Sequence, residues 1–462
     1  MFKNHKRLIR FSFFLITVVS IFKITVDFQV WDNYFSQAYQ DSNLSSVRVY
    51  TRQSFSRFNQ PWAYLAQGGE SPDWRISDIH SKVLALKPRY IRIDHLYDFY
   101  IDVSRIDGQI QLDFTDLDEM LDDILSVNAK PFISLSYMPL SISQGDIVDL
   151  PENWHDWATV IRKTIEHISG TRAIDDVYYE VWNEPDLFGD WKTYGRKNYL
   201  TMYQYANLGA SQAQNVKPFR LGGPGTTALY RNWIHRLVRH CQQHQLRLDF
   251  LSWHTYSYDH HRYQQESVQA QRWVREMGIR SDLEFVLTEW GIDSYFTPAY
   301  DGYSGAYHTA NILLANIDYY PQMYLFEIQD GIRDQTYVGS WGLLTHPLSG
   351  SKPKPRYRAV EMFAQLGDIR LVSSQSQGDY RMIATQHSHN REITALILNG
   401  MSESRPDSIP VTFLELIPGT YRYQVTKFDR TQRSKILDVG ENLTTFLNLE
   451  AGEMILVSLV PL

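Results

Sequence analysis

Two stretches of the chain place a glutamate where an apolar run stops. Val177 to Asp186 reads Val-Tyr-Tyr-Glu-Val-Trp-Asn-Glu-Pro-Asp, an aromatic and β-branched run of the kind that makes a buried strand. Pro185 ends it, because proline has no N–H to give a ladder and fixes its own φ. Asn183 and Glu184 are thereby left at the strand's carboxyl end, where desolvating a carboxylate is costly unless something uses it. Further on, Leu283 to Gly291 reads Leu-Glu-Phe-Val-Leu-Thr-Glu-Trp-Gly and delivers Glu289 in the same way. Taken singly, each glutamate is an ordinary surface residue after a strand. As a pair beside tryptophans they suit cleavage of a glycosidic bond. One carboxyl protonates the leaving oxygen, the other attacks or activates water, and aromatic faces hold the sugar.

Such groups need rigid elements behind them, and the chain supplies an alternation. Strand-like runs at 62–67, 88–94, 130–136, 177–183, 220–223, 248–254, 283–288 and 323–328 are interleaved with helical patterns at 113–127, 153–169, 198–214, 233–243, 264–277 and 307–317, with a last helix at 356–366. Strand and helix in regular alternation predict an α/β fold, a (β/α)8 TIM barrel. After residue 367 the texture changes. Runs at 382–385, 392–399, 411–416, 420–429 and 454–460 are strand-like with no helices between them, and Pro418-Gly419, Gly440 and Gly452 punctuate turns. This predicts a C-terminal all-β sandwich domain at 368–462 behind a catalytic barrel at 60–367.

In a barrel of this kind the active site lies at the carboxyl ends of the strands. The polar residues there are Glu70, Arg92, Asp94, His95, Asn183, Glu184, His254, Tyr256, Glu289, Glu327 and Asp330. Glu184, beside Pro185 and close to Trp182, is expected in an apolar surround that keeps it protonated as the acid. Glu289 must stay ionised to attack an anomeric carbon, so it needs a cation or donor nearby; Arg92 and Tyr256 are placed to serve. Glu70 either lines the sugar site or is a loop residue, and Glu327 and Asp330 either contact substrate or form an ion pair. Of Trp182, Trp290 and Trp341, Trp290 is the expected sugar platform. His254 has no partner at metal-ligand spacing, so no metal is expected.

Composition narrows the partners. A net charge of −7, with no long basic run outside the N-terminus, argues against nucleic acid. The single cysteine, Cys241, excludes an intrachain disulfide and a cysteine-based metal cluster. It falls in a helical pattern and reads as a small buried hydrophobe. At the start of the chain Lys3, Lys6, Arg7 and Arg10 precede an apolar run at 11–22, so residues 1–26 read as a signal peptide or membrane anchor. An exported protein is expected: periplasmic, extracellular or membrane-anchored.

Trp182-Asn183-Glu184-Pro185 and Thr288-Glu289-Trp290-Gly291 resemble the acid/base and nucleophile motifs of the clan A retaining glycoside hydrolases. The chain is similar to glycoside hydrolase family 39, which includes β-xylosidases, α-L-iduronidases and exopolysaccharide hydrolases. The resemblance runs over 60–367 and continues more weakly to the C-terminus. It implies Glu184 as acid/base, Glu289 as nucleophile and Asn183 as the grip on the sugar 2-hydroxyl, with Arg92 and the His254-x-Tyr256 pair in support. It also implies that residues 27–59 join the β domain. Retention implies carboxyl groups about 5–5.5 Å apart, against roughly 6.5–9.5 Å for inversion. Two stretches depart from the pattern. Residues 94–98, Asp-His-Leu-Tyr-Asp, differ from the His-containing loop of the family's xylosidases, and 296–304 has no counterpart. These loops shape sugar subsites. The expected function is a retaining glycoside hydrolase that needs no cofactor, its partner an oligosaccharide or polysaccharide, either β-xylosidase-like or acting on a cell-surface exopolysaccharide. An iduronidase would want further basic residues. The reading from another class is a catalytically silent carbohydrate-binding surface protein, which loss of either glutamate would favour.

Overall fold

The first described strand, β1 (Val47–Arg57), precedes the barrel and belongs to the C-terminal sheet. The barrel strands follow: β2 (Tyr64–Gln67), β3 (Tyr90–Ile93), then, after a hairpin of β4 (Asp102–Ile106) and β5 (Gln109–Asp113), β6 (Lys130–Leu135), β7 (Val177–Val181), β8 (Phe219–Thr226), β9 (Phe250–Tyr256), β10 (Glu284–Gly291) and β11 (Gln322–Phe326). Eight of these close a parallel barrel in chain order, β11 pairing back to β2. The structure is a computed structural model that describes residues 46–58, 60–68, 71–278, 282–331, 339–375, 379–401 and 409–462. The N-terminal apolar run and Glu70 lie outside the described residues. Among the described residues no helix is long and apolar enough to cross a membrane.

Alternation along each strand decides what faces inward. Tyr64, Tyr90, Phe132, Tyr178, Phe250, Val286 and Tyr324 fill the barrel interior, while Leu65, Ile91, Ile133, Tyr179, Leu251 and Leu287 pack outward under the helices. The interior rings stack, Phe132 on Tyr178 at 5.4 Å and Tyr64 on Tyr90 at 6.0 Å between centroids. The barrel is therefore plugged by side chains, and the mouth at the strands' carboxyl ends opens above the plug. The surrounding helices are amphipathic: Thr115–Ser126 buries Leu117, Met120, Leu121 and Ile124, one stripe at helical spacing. Helix Tyr199–Gln212 starts where the Asn198 side chain accepts from the Leu200 N–H, satisfying one of its orphan donors.

Beyond the barrel run β12 (Ile369–Gln375), β13 (Tyr380–Gln386), β14 (Ile393–Asn399), β15 (Ile409–Leu414), β16 (Gly419–Lys427), β17 (Gln432–Val439), β18 (Leu443–Leu447) and β19 (Met454–Pro461). With β1 they make one nine-stranded sheet in the order β17-β16-β19-β14-β13-β12-β1-β15-β18. The sheet folds back on itself, so that Tyr423 of β16 reaches Thr445 of β18 at 2.8 Å and the two layers bury Val49, Ile397, Phe413 and Val457 between them. β1 pairs antiparallel with β12 and parallel with β15. Sheet and barrel are joined by specific polar contacts, among them the Arg358 guanidinium donating to the Phe428 carbonyl at 3.0 Å and the Tyr303 hydroxyl to Gly452 at 2.9 Å.

Candidate active site

The same alternation that plugs the barrel places the polar residues above the plug. On β3, Tyr90 faces in, and so does Arg92 two residues later; on β7, Tyr178 is followed by Glu180. Arg92 and Glu180 are both fully buried and joined by donors from Nε at 3.0 Å and Nη2 at 2.8 Å to one carboxylate oxygen. Arg92 Nη2 also donates to Asn183 Oδ1 at 2.8 Å, and its Nη1 lies 3.7 Å from Glu289 Oε2. Burial disfavours the charge on Arg92, but the carboxylates of Glu180, Asp94 and Glu289 outweigh it and hold the guanidinium protonated. Sequence reasoning missed Glu180 as part of the site. Its signal was there: a carboxylate inside an apolar strand needs a buried cation.

After β7 the backbone turns sharply. Trp182 and Glu184 both take positive φ, 73° and 45°, a conformation that costs side-chain-bearing residues about 1–2 kcal/mol each. The turn is held by the Glu184 N–H donating to the Gly225 carbonyl at 2.9 Å and by Trp182 Nε1 donating to Phe188 at 3.2 Å. Gly225 itself has φ +58°, and a Cβ there would stand 2.9 Å from Glu180 Oε1. Replacing Gly225 with alanine is expected to cost about 1–3 kcal/mol of stability and to lower kcat, although no functional group is lost. Thermal melting and steady-state rates on one preparation check both effects.

On β9, Phe250, Ser252, His254 and Tyr256 share the inward face. His254 is fully buried, with Nδ1 2.8 Å from Glu184 Oε1 and 3.6 Å from Glu289 Oε2. Burial works against the imidazolium, and the Glu289 and Glu184 carboxylates prevail and raise its pKa. β10 carries a bulge: its register against β9 and β11 slips between Leu287 and Trp290, which turns Glu289 into the mouth. Tyr256 donates its hydroxyl to Glu289 Oε1. Burial pushes the Tyr256 phenol well above its ordinary range, so it remains a donor. Glu289 is raised to about 6, chiefly by burial; His254, Arg92 and the Tyr256 hydrogen bond pull it down, and Glu184 pushes it up. Glu184, His254 and Glu289 each present one atom within 4.8 Å of the others', so the two carboxylates face each other closely across His254. Such a triad has the reach to hold a cation, yet the positive charge beside Glu289 is already supplied by the Arg92 guanidinium.

These groups open into a cavity of about 510 Å³ whose wall includes Asp94, His95, Tyr137, Asn183, Glu184, Tyr256, Glu289 and Trp341. Asp94 is buried with Oδ1 lacking a hydrogen-bond partner, and His95 Nδ1 is held by Asp98 at 2.7 Å. Tyr137, absent from the strand-end set, receives a hydrogen bond from Asn183 Nδ2 at 3.1 Å. It directly follows the 130–136 run, the same strand-end position that selected Tyr256. Glu327 is fully buried at the end of β11, where Gln67 Nε2 donates to it at 3.2 Å. Asp330 instead pairs with Lys354 at 2.6 Å and takes the Gly342 N–H, the ion-pair alternative. Trp290 is not a platform. It is fully buried with its ring 6.1 Å from Tyr263, because the residue after an inward Glu289 points outward to the helices. Trp341 holds the cavity position. Cys241 is buried, and burial pushes its thiol up to about 12, so it is no nucleophile. A larger concavity, about 860 Å³, opens at the amino ends of β8 and β10 around Arg220 and Glu284, the face that serves stability in this fold.

The model of glycosyl hydrolases family 39 matches residues 45–403. The chain belongs to that family. It is a glycosidase that hydrolyses O-glycosyl compounds, with the family's barrel and accompanying sheet. A β-xylosidase from Geobacillus stearothermophilus is 26% identical over 373 residues, covering 70% of this chain and 71% of its own length. One from Caldicellulosiruptor saccharolyticus is 25% identical over 324 residues, covering 63% and 64%. In solved structures the fold recurs in a monomeric β-xylosidase from Caulobacter crescentus, with a TM-score of 0.76 at 19% identity, covering 90% of this chain and 99% of that one. Glu184, in the turn after β7, and Glu289, turned inward on β10, line one cavity.

Proposed function

We propose that this family 39 member is a β-xylosidase-like retaining enzyme in which Glu184 is the acid/base and Glu289 the nucleophile. The observation that supports the assignment is the pair of carboxylates that approach within 4.8 Å at one oxygen each, with His254 Nδ1 2.8 Å from Glu184 and 3.6 Å from Glu289. Nucleophilic attack by Glu289 on the anomeric carbon forms a glycosyl-enzyme as Glu184 gives its proton to the leaving oxygen. Water then enters, Glu184 takes its proton, and the glycosyl–Glu289 bond breaks. Arg92 and the Tyr256 hydroxyl steady the Glu289 carboxylate in the free enzyme, and Asn183, oriented by Arg92 and Tyr137, faces the sugar. The named activities of the relatives support xylose as the glycone. The apolar run behind Lys3, Lys6, Arg7 and Arg10 supports an exported or membrane-held enzyme, which fractionation of expressing cells tests.

The deciding experiment is turnover of a panel of aryl glycosides and exopolysaccharides with NMR of the first-formed anomer. A β-xyloside that gives β-xylose first supports the proposal; α-xylose first would show inversion and sink it.

Because attack requires ionised Glu289, kcat/KM is expected to fall as pH drops through about 6, its value in the free enzyme. A flat profile down to pH 4.5 would count against Glu289. The same shift has a stability consequence. A carboxyl raised in the folded state favours folding while protonated, and that contribution is lost as pH rises from about 4.5 through 6. Ionised Glu289 thus costs about 2 kcal/mol above pH 7. Glu289→Gln is expected to melt a few degrees higher than wild type at pH 7.5, with the gap closing near pH 4.5.

A further inference from the structure

The stretch 296–304, which has no counterpart in the family pattern, is tied to the cavity through Trp341. The Phe296 ring lies 4.6 Å from the Trp341 ring, and Trp341 Nε1 donates to the Asp293 carbonyl at 3.1 Å. Asp301 ends the short turn Pro298–Asp301, and its carboxylate accepts from the Gly339 N–H. The loops after β10 and β11 therefore meet at Trp341, which lines the same cavity as Glu184 and Glu289.

A cluster of charges fixes that meeting point. The helix Pro355–Phe363 begins at Lys354-Pro355-Arg356. Lys354 is only 4% exposed; its Nζ lies 2.7 Å from Asp301 and 2.6 Å from Asp330, and donates to the Ser340 carbonyl at 3.0 Å. Arg356 is fully buried and donates to the Trp341 carbonyl and to Thr309 Oγ1 at 3.0 Å, with its guanidinium 4.6 Å from the Tyr300 ring. The Gly342 N–H closes the set on Asp330 Oδ1 at 2.7 Å. Ser340, Trp341 and Gly342 are thus each held by the backbone, two of them directly by Lys354 and Arg356. Two cations stand against two carboxylates, so the cluster balances its own charge. Buried ion pairs of this kind gain little over apolar side chains of the same size; what they fix is which groups meet. Of Lys354, Arg356, Asp301, Asp330 and Trp341, only Trp341 lines the cavity.

We propose that Lys354 and Arg356 are positioning residues for substrate binding, which set the Trp341 ring in the wall of the sugar site, and that Asp301 makes the 296–304 stretch part of the same clamp. The inference rests on the proposed reading of the cavity as a sugar site and adds residues outside it that set affinity there. An aromatic wall remote from the reacting bond binds substrate and transition state alike. Displacing it therefore raises KM and leaves kcat in place.

The test is a double-mutant cycle on the aryl glycoside that wild type turns over fastest. Steady-state kcat and KM are measured for wild type, Lys354→Met, Trp341→Ala and the double variant. Lys354→Met is expected to raise KM about fivefold with kcat within about twofold, and Trp341→Ala to raise KM about tenfold. The double variant is expected to match Trp341→Ala, because the clamp has nothing left to position. KM increases that multiply in the double variant overturn the proposal, since Lys354 would then reach the site by another route. A folded Lys354→Met with wild-type KM overturns it too, whatever its kcat. Where Lys354→Met fails to fold, Arg356→Lys runs the same cycle with the same expectation, as it keeps the charge and loses the forked donors. Either failure leaves Glu184 and Glu289 in their roles as long as wild type turns over a glycoside. A wild type that turns over none overturns the proposed function and this inference with it.

Discussion

Glu289→Ala is expected to lower kcat by about 10⁴- to 10⁶-fold on an aryl glycoside, and added azide is expected to restore turnover as the inverted glycosyl azide. The size follows from the role. With no carboxylate to form the glycosyl-enzyme, the double displacement has no first step, and the remaining contacts only bind. The geometry makes rescue feasible, because alanine leaves a carboxylate-sized space beside Arg92 and Tyr256, two donors able to receive an anion. Glu184→Ala differs in kind. It removes the proton donor while the nucleophile stays, so substrates with good leaving groups still react, and azide should return the retained product. Inverted azide from the Glu184 variant would exchange the two roles. Activity that survives both substitutions would place the chemistry elsewhere.

Arg92→Leu should have the next largest effect, on stability as well as rate. Arg92 is fully buried and serves Glu180, Asn183 and Glu289 together. Removing one partner of a buried ion pair leaves the other charge uncompensated, at a cost of about 3–5 kcal/mol. Glu180 is the residue left most exposed to that cost, being fully buried with Oε2 accepting both from Arg92 Nε and from Arg92 Nη2. The pH behaviour should move too. Arg92 is one of the groups that pulls Glu289 down, so its loss raises Glu289 above about 6 and shifts the acid limb of kcat/KM to higher pH. Arg92→Lys keeps the charge but not the forked donors, and should recover the pH limb better than the stability. An unchanged urea midpoint for Arg92→Leu would refute the account.

Much of the barrel was legible because its signal is local. All eight strand runs read from the sequence correspond to β2, β3 and β6–β11, since each is a short apolar stretch bounded by turn residues and followed by a helix with one apolar stripe. The hairpin β4–β5 and the helix His80–Ala85 were not read, because Asp102–Ile106 is almost wholly solvent-facing and the helix is only six residues long. In the C-terminal sheet β12, β17 and β18 were missed: β12 and β17 show no clean alternation of burial, and β18 alternates over only five residues.

The site divides along the same line. Strand-end position was enough to select Arg92, Asn183, Glu184, His254, Tyr256 and Glu289, and the structure brings all six together. It did not reveal which neighbours face inward. A period of two sends Glu289 into the mouth and Trp290 to the helices, but the bulge that sets this phase on β10 is a pairing irregularity with β9 and β11. Tyr137 and Glu180 entered the site by packing across strands, and Asp330 left it for Lys354. The sequence by itself determined the alternation of elements, the strand ends and the residue types that reach them, because those depend on neighbours along the chain. Only the tertiary structure decided the close approach of the two carboxylates and the raised Glu289, because each depends on burial and on side chains delivered by different strands.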